Sequence, residues 1–140
     1  MQVTSQTTVA APIETVWDKL SNHVGMSQWG PGITVTMDRV GTPDPNGVGA
    51  IRRIAARGPA PDIVEEVVTF QPSSVLGYKA LAGSPFPGYS AEVRLTPAGA
   101  GTRISYTVST IASFPLVKAP LAVLCQVLLR LLARASTKKN

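Results

Sequence analysis

The chain has 140 residues, 44% of them hydrophobic and 15% charged, which suits one folded domain over residues 1–140 and carries too little charge for a disordered chain. The net charge is +5, but residues 1–92 hold six Lys/Arg against eight Asp/Glu, while residues 93–140 hold seven Lys/Arg and no acid. A single cysteine, Cys125, and a single histidine, His23, exclude an internal disulfide and a Cys- or His-based metal cluster, so no metal and no cofactor is expected.

The start, MQVTSQTTVA, alternates loosely and is rich in Thr and Val, which predicts a first strand. It lacks a basic stretch followed by an apolar one, so no secretory leader is expected and the cytoplasm is the default location. In APIETVWDKLSN, Pro12 suits the first helical turn and Glu14 the positive end of the dipole. Ile13, Val16, Trp17 and Leu20 share one helical face, and Asn22 with Gly25 can end the helix. GMSQWGPG allows one more short helical turn before Pro31 and Gly32 stop it.

Strand-like runs follow at residues 33–40, 50–57, 62–70, 75–82, 89–96 and 102–110, separated by GTPDPNGVG, GPAP, QPSS, GSPFPG and PAGAG. Runs of that length between such breaks predict an antiparallel meander. From Phe114 to Lys138 the pattern is helical. Val117, Leu121, Leu124, Leu128, Leu131 and Ala135 form a stripe, widened by Leu116, Val123, Val127 and Leu132, with Gln126, Arg130 and Arg134 on the wet face. The apolar part, Pro120–Ala135, is short for a bilayer and interrupted by those three polar residues, so no transmembrane helix is expected. The fold class predicted is α+β: a curved antiparallel sheet of about seven strands around a long C-terminal helix, with two short helices after the first strand.

The stretches APIETVWDKLSNHVGMSQWGPG, GVGAIRR, DIVEEVVTFQPSSVLGYKA and AGTRISYTVS, and the closing amphipathic helix, occur in an order that resembles the START-like (SRPBCC) superfamily. This is the helix-grip fold of Bet v 1 and of the polyketide cyclase/dehydrase and lipid-transport group, and the likeness spans nearly the whole chain. The resemblance implies a deep apolar cavity between sheet and long helix. It implies no single activity, because such folds host carriers, cyclases and receptors alike.

The charge doublets in IRRIAARGPAPDIVEEVV, residues 51–68, lie in two strands that should pair as a hairpin. A turn centred on Pro59 would set Arg52 opposite Glu66 and Arg53 opposite Glu65. Val64, Glu66, Val68 and Phe70, with Val48, Ala50, Arg52 and Ile54 opposite, form the more apolar face. Arg52 and Glu66 are therefore expected to point into the cavity, and Arg53 and Glu65 into water, an assignment that a one-residue slip would swap.

Tyr78, Tyr89 and Tyr106 fall in register with apolar neighbours and are expected to face the cavity. Trp29 could gate the mouth or fill a lid, and Phe86 would be an exposed tip of the rim loop. Trp17 and Cys125 read as core, and His23 as a cap or surface residue. Ligand-binding residues expected are thus Trp29, Arg52, Glu66, Tyr78, Tyr89 and Tyr106, with no catalytic residue assigned. Three functions are compatible. The favoured one is binding or carriage of a hydrophobic small molecule such as a lipid, fatty acid or polyketide-like ring system. The second is a cyclase or dehydratase with Glu66 as acid–base and Arg52 as anion holder. The third is an interaction module using the basic C-terminal region. Nucleic acid is not an expected partner; peripheral contact with an anionic membrane and either a monomer or a homodimer remain open.

Overall fold

The computed structural model describes residues 1–112 and 115–137. The expected helix start at Phe114 and the Lys138–Lys139 tail lie outside those residues, as does the side chain of Leu116. The elements run β1 (Gln2–Val9), α1 (Ile13–Ser21), α2 (Met26–Trp29), β2 (Ile33–Arg39), β3 (Ile51–Ala56), β4 (Ile63–Gln71), β5 (Val75–Ala82), β6 (Ser90–Ala98), β7 (Gly101–Ser109) and α3 (Pro115–Thr137). Seven strands form one antiparallel sheet in the order β1-β7-β6-β5-β4-β3-β2. Every neighbouring pair except β1–β7 is consecutive in sequence, as a meander with short connections requires. The two short helices cross between the edge strands β1 and β2.

Period-two patterning sends one side of each strand inward. Ala91, Val93 and Leu95 of β6 and Ile104, Tyr106 and Val108 of β7 are buried, while Thr4 and Thr107 share a hydroxyl–hydroxyl bond of 2.9 Å on the outer face. α1 closes one end with Val16, Trp17 and Leu20, and the Trp17 ring meets Phe70 edge-on at 5.2 Å. Thr102 Oγ1 donates to the Ala11 carbonyl over 2.8 Å, which fixes where β1 hands over to α1.

α3 lies against the inner face of β1 and β7. Leu121, Cys125, Leu129 and Leu132 are its buried ridge, a 4-4-3 spacing that rotates the contact slightly from the expected Leu121–Leu128 stripe. Leu124, Leu128 and Leu131 flank it and are half-buried. Arg130 and Arg134 face out as expected, joined by Val123 and Val127, while Gln126 is half-buried. Cys125 is core, its Sγ donating to the Tyr106 carbonyl at 3.1 Å. By length and composition Val117–Thr137 could cross a membrane, so the expected shortness does not hold. Its place as the core helix rests instead on the buried ridge.

Candidate functional site

A cavity of about 350 Å³ lies between the β3–β5 half of the sheet, the Ser84–Phe86 loop and α3. Ile33, Ile54, Ile63, Leu124, Leu128 and Leu131 supply aliphatic wall, and Phe86, Tyr78 and Tyr89 supply aromatic wall. Arg52 and Glu65 are the charged residues among its described lining.

The charge doublets resolve differently from expectation. Arg52 pairs across the ladder with Glu65, and Arg53 with Val64. Eight residues, 55–62, lie between the last ladder partners Ile54 and Ile63, and an even number places the hairpin centre between Gly58 and Pro59 instead of on Pro59. Gly58 takes φ +103°, which a side chain would resist. The half-residue displacement moves every cross-strand partner by one. An irregularity at Val67/Thr69, where Val68 has no partner, then breaks strict alternation in β4. Glu65 and Val67 point inward, Val68 is 44% exposed, and Phe70 returns to the core. The apolar set that tied Glu66 to Phe70 assumed an unbroken period of two.

Glu66 is therefore corrected to the outer face, where Arg39 Nη2 and Lys79 Nζ approach its carboxylate at 3.1 and 3.7 Å. Arg53 does face outward, but its partners are Asp38 at 2.8 Å and Asp62 at 3.4 Å, not Glu65. Arg52 points inward as expected and is 5% exposed, with Glu65 at 4%.

Arg52 organises the inner end of the cavity. Its Nε and Nη2 both donate to Glu65 Oε1, at 2.9 and 2.8 Å. Its Nη1 reaches His23 Nδ1 at 3.4 Å, and its guanidinium carbon sits 4.2 Å from the centre of the Tyr78 ring. Arginine can only donate, so Nδ1 accepts and Nε2–H donates to the Asn46 carbonyl at 2.9 Å. Burial, reinforced by the Arg52 charge, lowers the His23 pKa to about 4 and keeps the ring neutral. Burial opposes the charge on Arg52, but Glu65 and the two adjacent tyrosines more than offset it and hold its pKa above the usual value. His23 is fully buried, which corrects the expected cap or surface position. Nothing in its local sequence foretells this, because its partner Asn46 belongs to a distant loop.

Tyr78, Tyr89 and Tyr106 all face inward. Tyr78 and Tyr89 line the cavity. Tyr106 lies deeper, its hydroxyl bonded to that of Tyr78. Burial raises the pKa of all three phenols, so each stays protonated. Trp29 is half-buried against the core, beside Arg52 and Tyr106 at a small void and beside an outer groove with Leu131 and Arg134. The main cavity's described wall does not include it. Phe86 is half-buried, not an exposed tip, with its ring 6.3 Å from that of Tyr89.

Two polar atoms are left over. Glu65 Oε2 and the Tyr89 hydroxyl make no hydrogen bond among the described residues. No enclosed side-chain oxygen or nitrogen there lacks a partner, so neither atom is wholly enclosed, and both residues line the cavity.

A seven-stranded antiparallel sheet gripping a long C-terminal helix defines the START-like class, the helix-grip fold of Bet v 1. Solved structures of the same fold include MLL2253 from Mesorhizobium loti, with TM-score 0.78 and 16% identity over 100% of this chain and 99% of that one. A START superfamily protein from Mycobacterium smegmatis matches with TM-score 0.76 and 18% identity over 96% and 92%. The Aha1 dimer from Colwellia psychrerythraea matches with TM-score 0.74 and 18% identity over 100% and 99%. Within that class the chain belongs to the polyketide cyclase/dehydrase and lipid transport family, whose model matches residues 1–137. No curated protein matches the sequence.

Proposed function

We propose that this protein binds and carries a hydrophobic small molecule, as a soluble cytoplasmic domain, in the cavity between β3–β5 and α3. The observation that carries this reading is the cavity itself. Its volume of about 350 Å³ falls within the range of small-molecule sites, and a largely apolar wall with a few placed polar groups is how such sites work. The family's association with lipid transport supports the same reading. Arg52 with Glu65 takes the place that the sequence assigns to Arg52 with Glu66. A catalytic use of Glu66 loses its footing, because that carboxylate lies on the opposite face of the sheet.

The test is titration with N-phenyl-1-naphthylamine, a neutral probe whose emission rises on leaving water, beside native mass spectrometry of gently purified protein. Saturable binding of one probe per chain is expected, abolished by filling the cavity with Ile63→Trp. Absence of binding, or binding that survives a folded Ile63→Trp variant unchanged, would overturn the proposal.

A further inference from the structure

The inner end of the cavity carries a specific hydrogen-bonding demand. Arg52 places two of its donors on one oxygen of Glu65 and a third on His23. Its positive charge is matched by the single negative charge of the carboxylate it holds at 2.8 Å. Oε2 remains as an acceptor that cannot donate while Glu65 is ionised, and the Tyr89 hydroxyl can donate or accept. These are the two open polar atoms identified above, set in a wall of Ile54, Ile63 and Leu128.

A ligand's polar end must satisfy both. A hydroxyl is the group that offers both functions, a proton for Oε2 and an acceptor for the Tyr89 hydroxyl. A ligand carboxylate does not. It would confront Oε2 with a second acceptor and bring a negative charge to a place whose cation is already neutralised, and an uncompensated charge in an apolar site is strongly disfavoured. A wholly apolar ligand would cover Oε2 without replacing its hydrogen bonds to water, which costs affinity.

We infer that the cavity selects a neutral, largely apolar molecule carrying a hydroxyl group, a phenol or alcohol, and discriminates against fatty-acid and other carboxylate ligands. This rests on the cavity-binding reading and narrows its ligand class. The rings of Tyr78, Tyr89 and Phe86 favour a flat, ring-bearing molecule over a bare chain.

The probes are three compounds of one shape: 2-naphthol, 2-naphthoate and naphthalene, titrated calorimetrically at pH 7.5. In the unaltered protein 2-naphthol should bind about tenfold or more tighter than either of the others, the expected worth of a hydrogen bond to a charged acceptor. Tyr89→Phe should weaken 2-naphthol several-fold and leave naphthalene unchanged. Glu65→Gln frees the Arg52 charge and should reverse the order of the naphthol and the naphthoate. The unaltered protein alone decides the matter if Glu65→Gln fails to fold. Equal or tighter binding of 2-naphthoate, or equal binding of 2-naphthol and naphthalene, overturns the hydroxyl inference while the cavity reading stands. If none of the three binds and N-phenyl-1-naphthylamine also fails, both fall together.

Discussion

Removing the Arg52 guanidinium should be among the most destabilising single changes this chain can undergo. Arg52→Met keeps most of the side chain's apolar length and deletes its charge. Glu65, at 4% exposure, would lose its cation and the two donors that now approach Oε1 at 2.9 and 2.8 Å. His23 Nδ1 would lose its donor, and the Tyr78 ring its cation at 4.2 Å. Breaking a buried pair from one side costs about 3–5 kcal/mol. For a domain of this size that lowers Tm by about 10–15 °C.

The double variant Arg52→Met/Glu65→Leu should behave otherwise. With both charges gone, the site becomes a packed apolar floor, and such exchanges are often neutral or stabilising. One unfilled acceptor on His23 remains, worth about 1–3 kcal/mol. Urea unfolding of the parent, both single variants and the double variant, followed by Trp fluorescence and by circular dichroism, gives the coupling energy as a double-mutant cycle. A coupling of about 2–4 kcal/mol is expected. An Arg52→Met cost below about 1 kcal/mol, or single costs that simply add, would refute the reasoning that the pair is buried and mutually dependent.

Three further outcomes follow from other parts of the molecule. The His23 pKa is about 4 in the fold against 6.5 for a free side chain, so the unfolded chain binds the extra proton between those values and stability falls as pH falls through that window. A loss of about 2 kcal/mol between pH 7 and pH 5 is expected by chemical denaturation, and it should largely vanish in His23→Gln. Glu66→Gln removes outer-face pairs with Arg39 and Lys79, whose side chains are 57% and 54% exposed; it should cost less than about 1 kcal/mol and leave probe affinity unchanged. Gly83 takes φ +81°, and an added Cβ would lie 1.9 Å from the Asp62 carbonyl oxygen; Gly83→Ala should cost about 1–3 kcal/mol by thermal melt and weaken probe binding by shifting the rim.

Element order was legible because each strand ends in strong punctuation and each helix shows one apolar face. The sheet needed little long-range information, since most strands pair with their sequence neighbours. The inward turn of Arg52, Tyr78, Tyr89 and Tyr106 was legible because each keeps step with apolar neighbours two residues away, most plainly in β7, whose burial alternates through Tyr106. Glu65 was not legible. A hairpin register depends on whether its loop is odd or even, and RGPAPD does not state which of its residues leave the ladder. The bulge in β4 hid the error further, because it lets Val67 and Phe70 share a face although they lie three positions apart. His23 was missed for a different reason: its burial depends on Asn46 and Arg52, which chain order places 23 and 29 residues away.

The pair's own energetics bear on why a cavity floor should hold charges at all. A buried ion pair contributes little net stability over an apolar equivalent, so stability alone does not account for it. Register does so in part. A slip of β4 against β3 that set Val64 opposite Arg52 would leave the arginine buried without a carboxylate, an error costing about 3–5 kcal/mol that an all-apolar strand would not impose, whereas the opposite slip would offer it Glu66 instead. An apolar floor also could not offer an open acceptor. Because Arg52 spends two donors on Oε1, the carboxylate is held rigidly while Oε2 makes no hydrogen bond among the described residues. The same contact that discourages the wrong register thus orients the atom that a ligand would meet.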